Sequence, residues 1–208
     1  MKTIVAGATG LVGKALVQFI LAQKETEIVF ALSRKEQSFS HPNLKWISGK
    51  MPPDALPEAD VLVIALGTTM AKAGSKESFW KTDVELPLEI AGMARKSGCK
   101  TLKLVSAKGA NADSVIFYNK AKGSLEKELA NLGFENIVIV RPSLLLGKRD
   151  ENRPGEKWAQ RVLGPLRNWL PASIRPVKAE EVARALWLSN QAKGVKVIEN
   201  QDIFKFAP

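Results

Sequence analysis

Short apolar runs alternate with longer stretches of helical periodicity along most of the chain. Residues 3–6 are apolar and β-branched. Residues 11–22 follow with apolar positions at Leu11, Ala15, Leu16, Phe19 and Ile20, the spacing of one helical face. Residues 27–32 read as a buried strand and 44–48 as a shorter one. Residues 60–66 form a continuous apolar run, the pattern of an interior parallel strand. A helix is predicted over 78–97, irregular in its first part because of Pro87. A strand at 101–106, a helix over 115–132 and a strand at 136–141 complete the series. This alternation predicts an α/β fold built on a doubly wound parallel sheet.

Beyond Pro142 the pattern changes. Gly147, Pro154, Gly155, Gly164, Pro165, Pro171 and Pro176 punctuate short helical stretches near 156–170 and 179–190, before a last apolar piece at 195–198. The expectation is one domain, with 1–142 as cofactor-binding core and 143–208 as a small C-terminal, substrate-side extension. Such an extension would lie where α/β folds bind ligands.

The first strand runs straight into Gly7, Ala8, Thr9, Gly10, Leu11, Val12 and Gly13. Glycine allows a tight turn, lets a pyrophosphate approach bare backbone and lets the helix pack closely on its strand. Free N–H groups at the helix start then face the phosphates. In this context the turn predicts a dinucleotide site; the plainer alternative is a glycine turn kept for packing. An acid is expected after the second strand for the ribose hydroxyl of NAD. The chain has Ser33, Arg34 and Lys35 there instead. A hydroxyl and two cations suit a 2′-phosphate, so NADP(H) is favoured over NAD(H), with Arg34 able to pair in bidentate fashion. The run 60–66 ends at Leu66, Gly67 and Thr68, which would leave backbone and hydroxyl groups beside the cofactor.

Ser106 closes the fifth strand. Tyr118, the one tyrosine of the chain, follows on the next helix, and Lys122 lies one turn further. Positions i and i+4 share a face, so an ammonium can sit beside the phenol. A nearby cation lowers a phenol's pKa and helps it exchange a proton. Tyr118, Lys122, Leu125, Leu129 and Leu132 form one stripe, and the leucines mark it as core-facing. Packing explains the leucines and the tyrosine. It does not explain Lys122, because an inward lysine needs a partner or a path to solvent. Ser106, Tyr118 and Lys122 are therefore the candidate catalytic residues.

Composition removes competing chemistries. One Cys and one His in 208 residues exclude a disulfide framework within the chain and an ordinary zinc site, and they disfavour a protease triad. No metal site is expected. Cys99 reads as an inert buried thiol, and His41, beside Pro42, as a surface residue. The five tryptophans read as core or interface residues. The net charge of +10 invites a nucleic-acid reading, but no basic tail or recognised motif supports one. The densest basic stretch, 148–178, reads as a solvated surface or as an attractor of an anionic ligand. No apolar run reaches membrane length, and the N-terminal stretch is too broken for a signal peptide, so a cytosolic protein is expected.

Gly7-x-x-Gly10-x-x-Gly13 with Tyr118-x-x-x-Lys122 and upstream Ser106 resembles the short-chain dehydrogenase/reductase superfamily. Leu66-Gly67-Thr68-Thr69, Lys72-Ala73-Gly74, Ser106-Ala107-Lys108-Gly109-Ala110, Arg141-Pro142-Ser143-Leu144-Leu145-Leu146 and Arg153-Pro154-Gly155-Glu156 are similar to its atypical, Tat-interacting-protein-like subgroup. The resemblance implies a Rossmann-like domain binding NADPH, with Gly7, Gly10 and Gly13 on the pyrophosphate and Ser33 with Arg34 on the 2′-phosphate. It implies Thr68 near the middle of the cofactor, and Pro142 and Ser143 beside the nicotinamide. Tyr118 would be the proton donor, Lys122 would hold the nicotinamide ribose, and Ser106 would orient a substrate carbonyl. The superfamily's usual Asn-Ala-Gly signature is absent, replaced by Leu66-Gly67-Thr68-Thr69. The extension is shorter than in nucleotide-sugar epimerases, which argues for a small carbonyl or alcohol substrate. The alternative is an NADPH-sensing regulator that docks a protein partner with little turnover.

Overall fold

A computed structural model of the protein describes residues 1–147, 169–189 and 193–206. Seven strands form one parallel sheet: β1 (Lys2–Ala6), β2 (Ile28–Ser33), β3 (Leu44–Ser48), β4 (Val61–Ile64), β5 (Thr101–Val105), β6 (Asn136–Arg141) and β9 (Gly194–Glu199). Their order is β3-β2-β1-β4-β5-β6-β9. A second, two-stranded sheet pairs β7 (Leu145–Leu146) with β8 (Val177–Lys178).

Side-chain alternation along the strands divides the core in two. Val5, Val29, Val63, Val138 and Val140 point to one face, where α1 (Leu11–Leu21) and α6 (Ala179–Leu188) cover them. Ile4, Leu62, Ile64, Leu102, Leu104, Ile137 and Ile139 point to the other. They meet α4 (Leu86–Lys96) and α5 (Phe117–Ala130), with Phe79 from α3 (Lys76–Trp80). Short α2 (Met70–Ala73) precedes α3, and α7 (Asn200–Ile203) follows β9. The doubly wound parallel sheet predicted from the alternation is thus observed.

Residues beyond Pro142 supply elements of these same layers. β9 adds to β6 in parallel, pairing Val195 with Ile137 and Glu199 with Arg141. The stretch predicted near 179–190 is α6. The basic positions 148–168, residues 156–168 of the predicted 156–170 helix, Trp158 and the Arg153–Glu156 motif lie outside the described residues. Of the other tryptophans, Trp187 is buried, Trp46 and Trp80 are partly buried against the core, and Trp169 is 88% exposed.

The helix predicted over 78–97 is present but not uniform. Between α3 and α4 the chain makes one π-helical turn, Lys81–Glu85, in which the Leu86 N–H donates to the Lys81 carbonyl five residues back. Pro87 explains it. Proline has no N–H for the carbonyl of Asp83, and its ring crowds that carbonyl, so the turn before it widens.

Candidate functional site

In a parallel sheet every strand ends on the same edge. The ends of β1, β2, β4, β5 and β6 carry, in turn, the glycine turn, Ser33–Lys35, Leu66–Thr68, Ser106 and Pro142–Ser143. The order reverses between β1 and β4, which opens a crevice at the glycine turn.

At the turn Gly7 has φ +89° and lies against the Ala65 backbone. A side chain at Gly13 would strike the Gly7 carbonyl. These two glycines are therefore required by packing, whereas Thr9 and Gly10 are exposed. The first intrahelical bond of α1 runs from the Lys14 N–H to the Gly10 carbonyl, 2.8 Å. The N–H groups of Leu11, Val12 and Gly13 precede it in the first turn of α1, a donor set of the kind that suits a pyrophosphate. Ala8 and Val12 are buried behind the turn, and the backbone of Gly147 comes down on Leu11. At the end of β2 the Ser33 hydroxyl donates to the Lys35 carbonyl (2.6 Å), folding the loop back and leaving Arg34 and Lys35 exposed.

The lysine that the leucine stripe could not explain has its partner. Lys122 Nζ lies 2.7 Å from Asp83 Oδ1, with side-chain exposures of 5% and 0%. Asp83 Oδ2 accepts the Thr68 N–H at 2.8 Å. Gly67 sits beside both charges, where a β-carbon would be 3.6 Å from Asp83 Oδ1 and 3.7 Å from Lys122 Nζ. Tyr118, partly buried, meets Phe79 edge to face at 5.7 Å between centroids. Asp83 is the residue that sequence reasoning missed. Its signal was Pro87, four residues on inside a helix.

Ser106 is buried, and its hydroxyl donates to Glu126 Oε1, one helical turn beyond Lys122. Glu126 is held in fork fashion by Arg141, through Nε to Oε1 (3.1 Å) and Nη2 to Oε2 (2.6 Å). Arg141 also reaches Glu199 at 2.8 Å. The two carboxylates hold the guanidinium above its already high pKa, through the Glu126 hydrogen bond first. The hydrogen of Ser106 is therefore engaged within the protein. Pro142 is buried. Ser143 is likewise tied inward: its N–H donates to Asn200 Oδ1 (2.7 Å) and its hydroxyl to the Arg175 carbonyl (2.7 Å). Asn200 in turn donates to the carbonyls of Ala172 and Arg175. No group of three or more possible metal ligands occurs among the described residues.

Sheet order, crevice and glycine turn define a Rossmann-type α/β protein of the short-chain dehydrogenase/reductase kind. Residues 3–192 match the model of the NAD dependent epimerase/dehydratase family, and the chain belongs to that family. Among curated relatives, Protein FMP52, mitochondrial, of Eremothecium gossypii is 35% identical over 214 residues, covering 98% of this chain and 96% of that protein. The Candida albicans protein of the same name is 34% identical over 197 residues, covering 88% and 85%. Among solved structures, UDP-N-acetylglucosamine 4-epimerase from Methanobrevibacter ruminantium superposes with a TM-score of 0.72 at 17% identity. It covers 95% of this chain and 76% of that one. UDP-glucuronic acid 4-epimerase from Bacillus cereus, in complex with NAD, gives 0.71 at 16% identity, covering 96% and 78%. The chain is thus an oxidoreductase-type, dinucleotide-binding protein.

One expectation is overturned. The curated relatives are named as mitochondrial proteins, so the cytosolic placement does not stand. It rested on apolar patterning, which reports on bilayer crossing and carries no compartment address. No described helix is long and apolar enough to cross a membrane.

Proposed function

We propose that the protein is an NADP(H)-dependent oxidoreductase acting on a small carbonyl or alcohol, with Tyr118 as the proton-transfer residue. The observation that carries this reading is the buried Lys122 ammonium. Asp83 holds it against Gly67, one helical turn from Tyr118 and on the sheet edge that carries the glycine turn. A dinucleotide bound there supplies or accepts a hydride. Leu11, Val12 and Gly13 offer N–H groups to its pyrophosphate, and Arg34 with Lys35 attract a 2′-phosphate. Lys122 has further N–H bonds for a ribose hydroxyl, since an ammonium carries three donors. Tyr118 gives its proton to the substrate oxygen and recovers one from solvent. With the hydrogen of Ser106 on Glu126, Tyr118 is the donor to a carbonyl, and Ser106 presents lone pairs.

A carbonyl panel assayed with NADPH and with NADH tests this reading. Turnover should favour NADPH. Tyr118→Phe should abolish it while leaving NADPH affinity nearly unchanged; equal turnover in that variant would sink the assignment. A second reading, a cofactor-sensing protein that docks a partner, draws on Val115 and Ile116. These two apolar residues are 101% and 59% exposed just before Tyr118. Cofactor binding with no turnover on any panel member would favour it.

A further inference from the structure

We propose that Gln37 is a positioning residue for cofactor choice: its side-chain amide locks the loop after β2 and so holds Arg34 ready for a 2′-phosphate. The proposal rests on the reading of the protein as NADP(H)-dependent.

Gln37 Nε2 lies 3.2 Å from Ser33 Oγ, 3.1 Å from the Lys35 carbonyl and 3.0 Å from the Glu36 carbonyl. Carbonyls only accept, so the amide nitrogen rather than its oxygen faces the loop. The Ser33 hydroxyl gives its hydrogen to the Lys35 carbonyl at 2.6 Å and accepts the Lys35 N–H at 3.2 Å. The loop is tied to the end of β3 as well. The Gly49 N–H donates to the Ser33 carbonyl at 3.0 Å, and the Ser48 hydroxyl reaches the Lys35 carbonyl at 3.4 Å. Arg34 therefore sits between two residues that are each fixed on several sides.

This arrangement divides the work at the site. Ser33 is buried and the hydrogen of its hydroxyl is engaged within the loop, so a 2′-phosphate falls to the exposed Arg34 and Lys35. A guanidinium pairs with phosphate in a fixed fork, and its strength there depends on where its backbone stands. Ordering a loop at the moment of binding weakens affinity, and a loop ordered beforehand avoids that loss. The same loop carries the exposed Glu36, whose carboxylate opposes a phosphate in any rearrangement that brings the two together. Gln37 bonds to three residues of the loop at once. NADH has no 2′-phosphate, so its binding draws nothing from Arg34 and is indifferent to the lock.

Calorimetric titration of the full-length protein with NADPH and with NADH tests this without a known substrate. Gln37→Met keeps the length of the side chain and removes its donor. It should weaken NADPH binding by about three- to tenfold and leave NADH within about twofold of the wild type. In an Arg34→Ala background the same change should weaken NADPH no further, because the group that the lock serves is gone. An unchanged ratio of the two affinities in Gln37→Met overturns the proposal. An equal loss for both cofactors, or a full further loss on top of Arg34→Ala, overturns it too and leaves Gln37 a plain folding role. A wild type that binds NADPH no better than NADH would instead remove the NADP(H) reading itself, and the proposal with it.

Discussion

Lys103 sits mid-strand in the centre of the sheet, paired in register with Val63 and Val138, and is buried. Its ammonium donates to the carbonyls of Trp187 (2.7 Å) and Ser189 (3.1 Å) at the C-terminal end of α6, and lies 5.0 Å from the Trp187 ring. A cation suits that end of a helix. Burial nevertheless pushes the Lys103 pKa down to about 8 from the ordinary 10.5. Between those values the unfolded chain holds a proton that the folded chain has released, so folding stability rises with pH across that window and is reduced below it. In urea titrations the wild type should gain on Lys103→Met as pH rises from about 8 towards 10.5, by up to about 1.4 kcal/mol per pH unit. A constant difference between the two proteins would refute this. Cys99 shows the same physics on a thiol. Burial raises it to about 11, which makes it a poor nucleophile and agrees with the inert thiol expected from sequence.

At the scale of elements, the sequence made the main layers plain because strand and helix periods differ so clearly. Residues 60–66 read as an interior strand and 101–106 as a strand, and β4 and β5 are there. Tyr118 and Lys122 were legible because four residues is a helical turn. Asp83 was not, because it is 39 residues from its partner and nothing local sets that distance apart. The link between Ser106 and Glu126 was hidden for the same reason, with 20 residues between them. The irregularity at Pro87 was foreseen; its use in turning an acid towards α5 was not. Close packing of elements was also invisible to periodicity. Gly123 of α5 lies against the backbone of Asn111 and Ala112, in the loop that leads from Ser106 to Tyr118. Alanine is the better helix former by about 1 kcal/mol, but here its β-carbon would meet backbone that cannot swing aside. Overpacking of that kind costs about 1–3 kcal/mol. Gly123→Ala should therefore lower the melting temperature, against helix propensity, as calorimetry would show.

For the molecule as a whole, the +10 charge acquires a partial address. Arg34 and Lys35 stand exposed at the crevice, while Lys103, Lys122 and Arg141 are spent inside the protein on carbonyls and carboxylates. The two helical layers differ in how the chain closes them. On the α5 face the covering helices α3, α4 and α5 all lie between Lys76 and Ala130. On the other face, α1 is covered by α6, which the chain reaches more than 150 residues later. A chain stopped after Gly147 would leave Leu16, Val17 and Ile20 uncovered together with Val138 and Val140, and it would lack β9. Such a fragment should express insolubly or bind a hydrophobic dye strongly, and a soluble, dye-silent fragment would contradict this view of the core. The pairing of α1 with α6 also bears on how the protein is made. On a ribosome the first helix emerges more than 150 residues before the helix that covers its apolar side. During that interval the nascent chain needs shelter from aggregation, and the glycine turn, at the head of the same helix, rests on a half-built support until the last elements arrive.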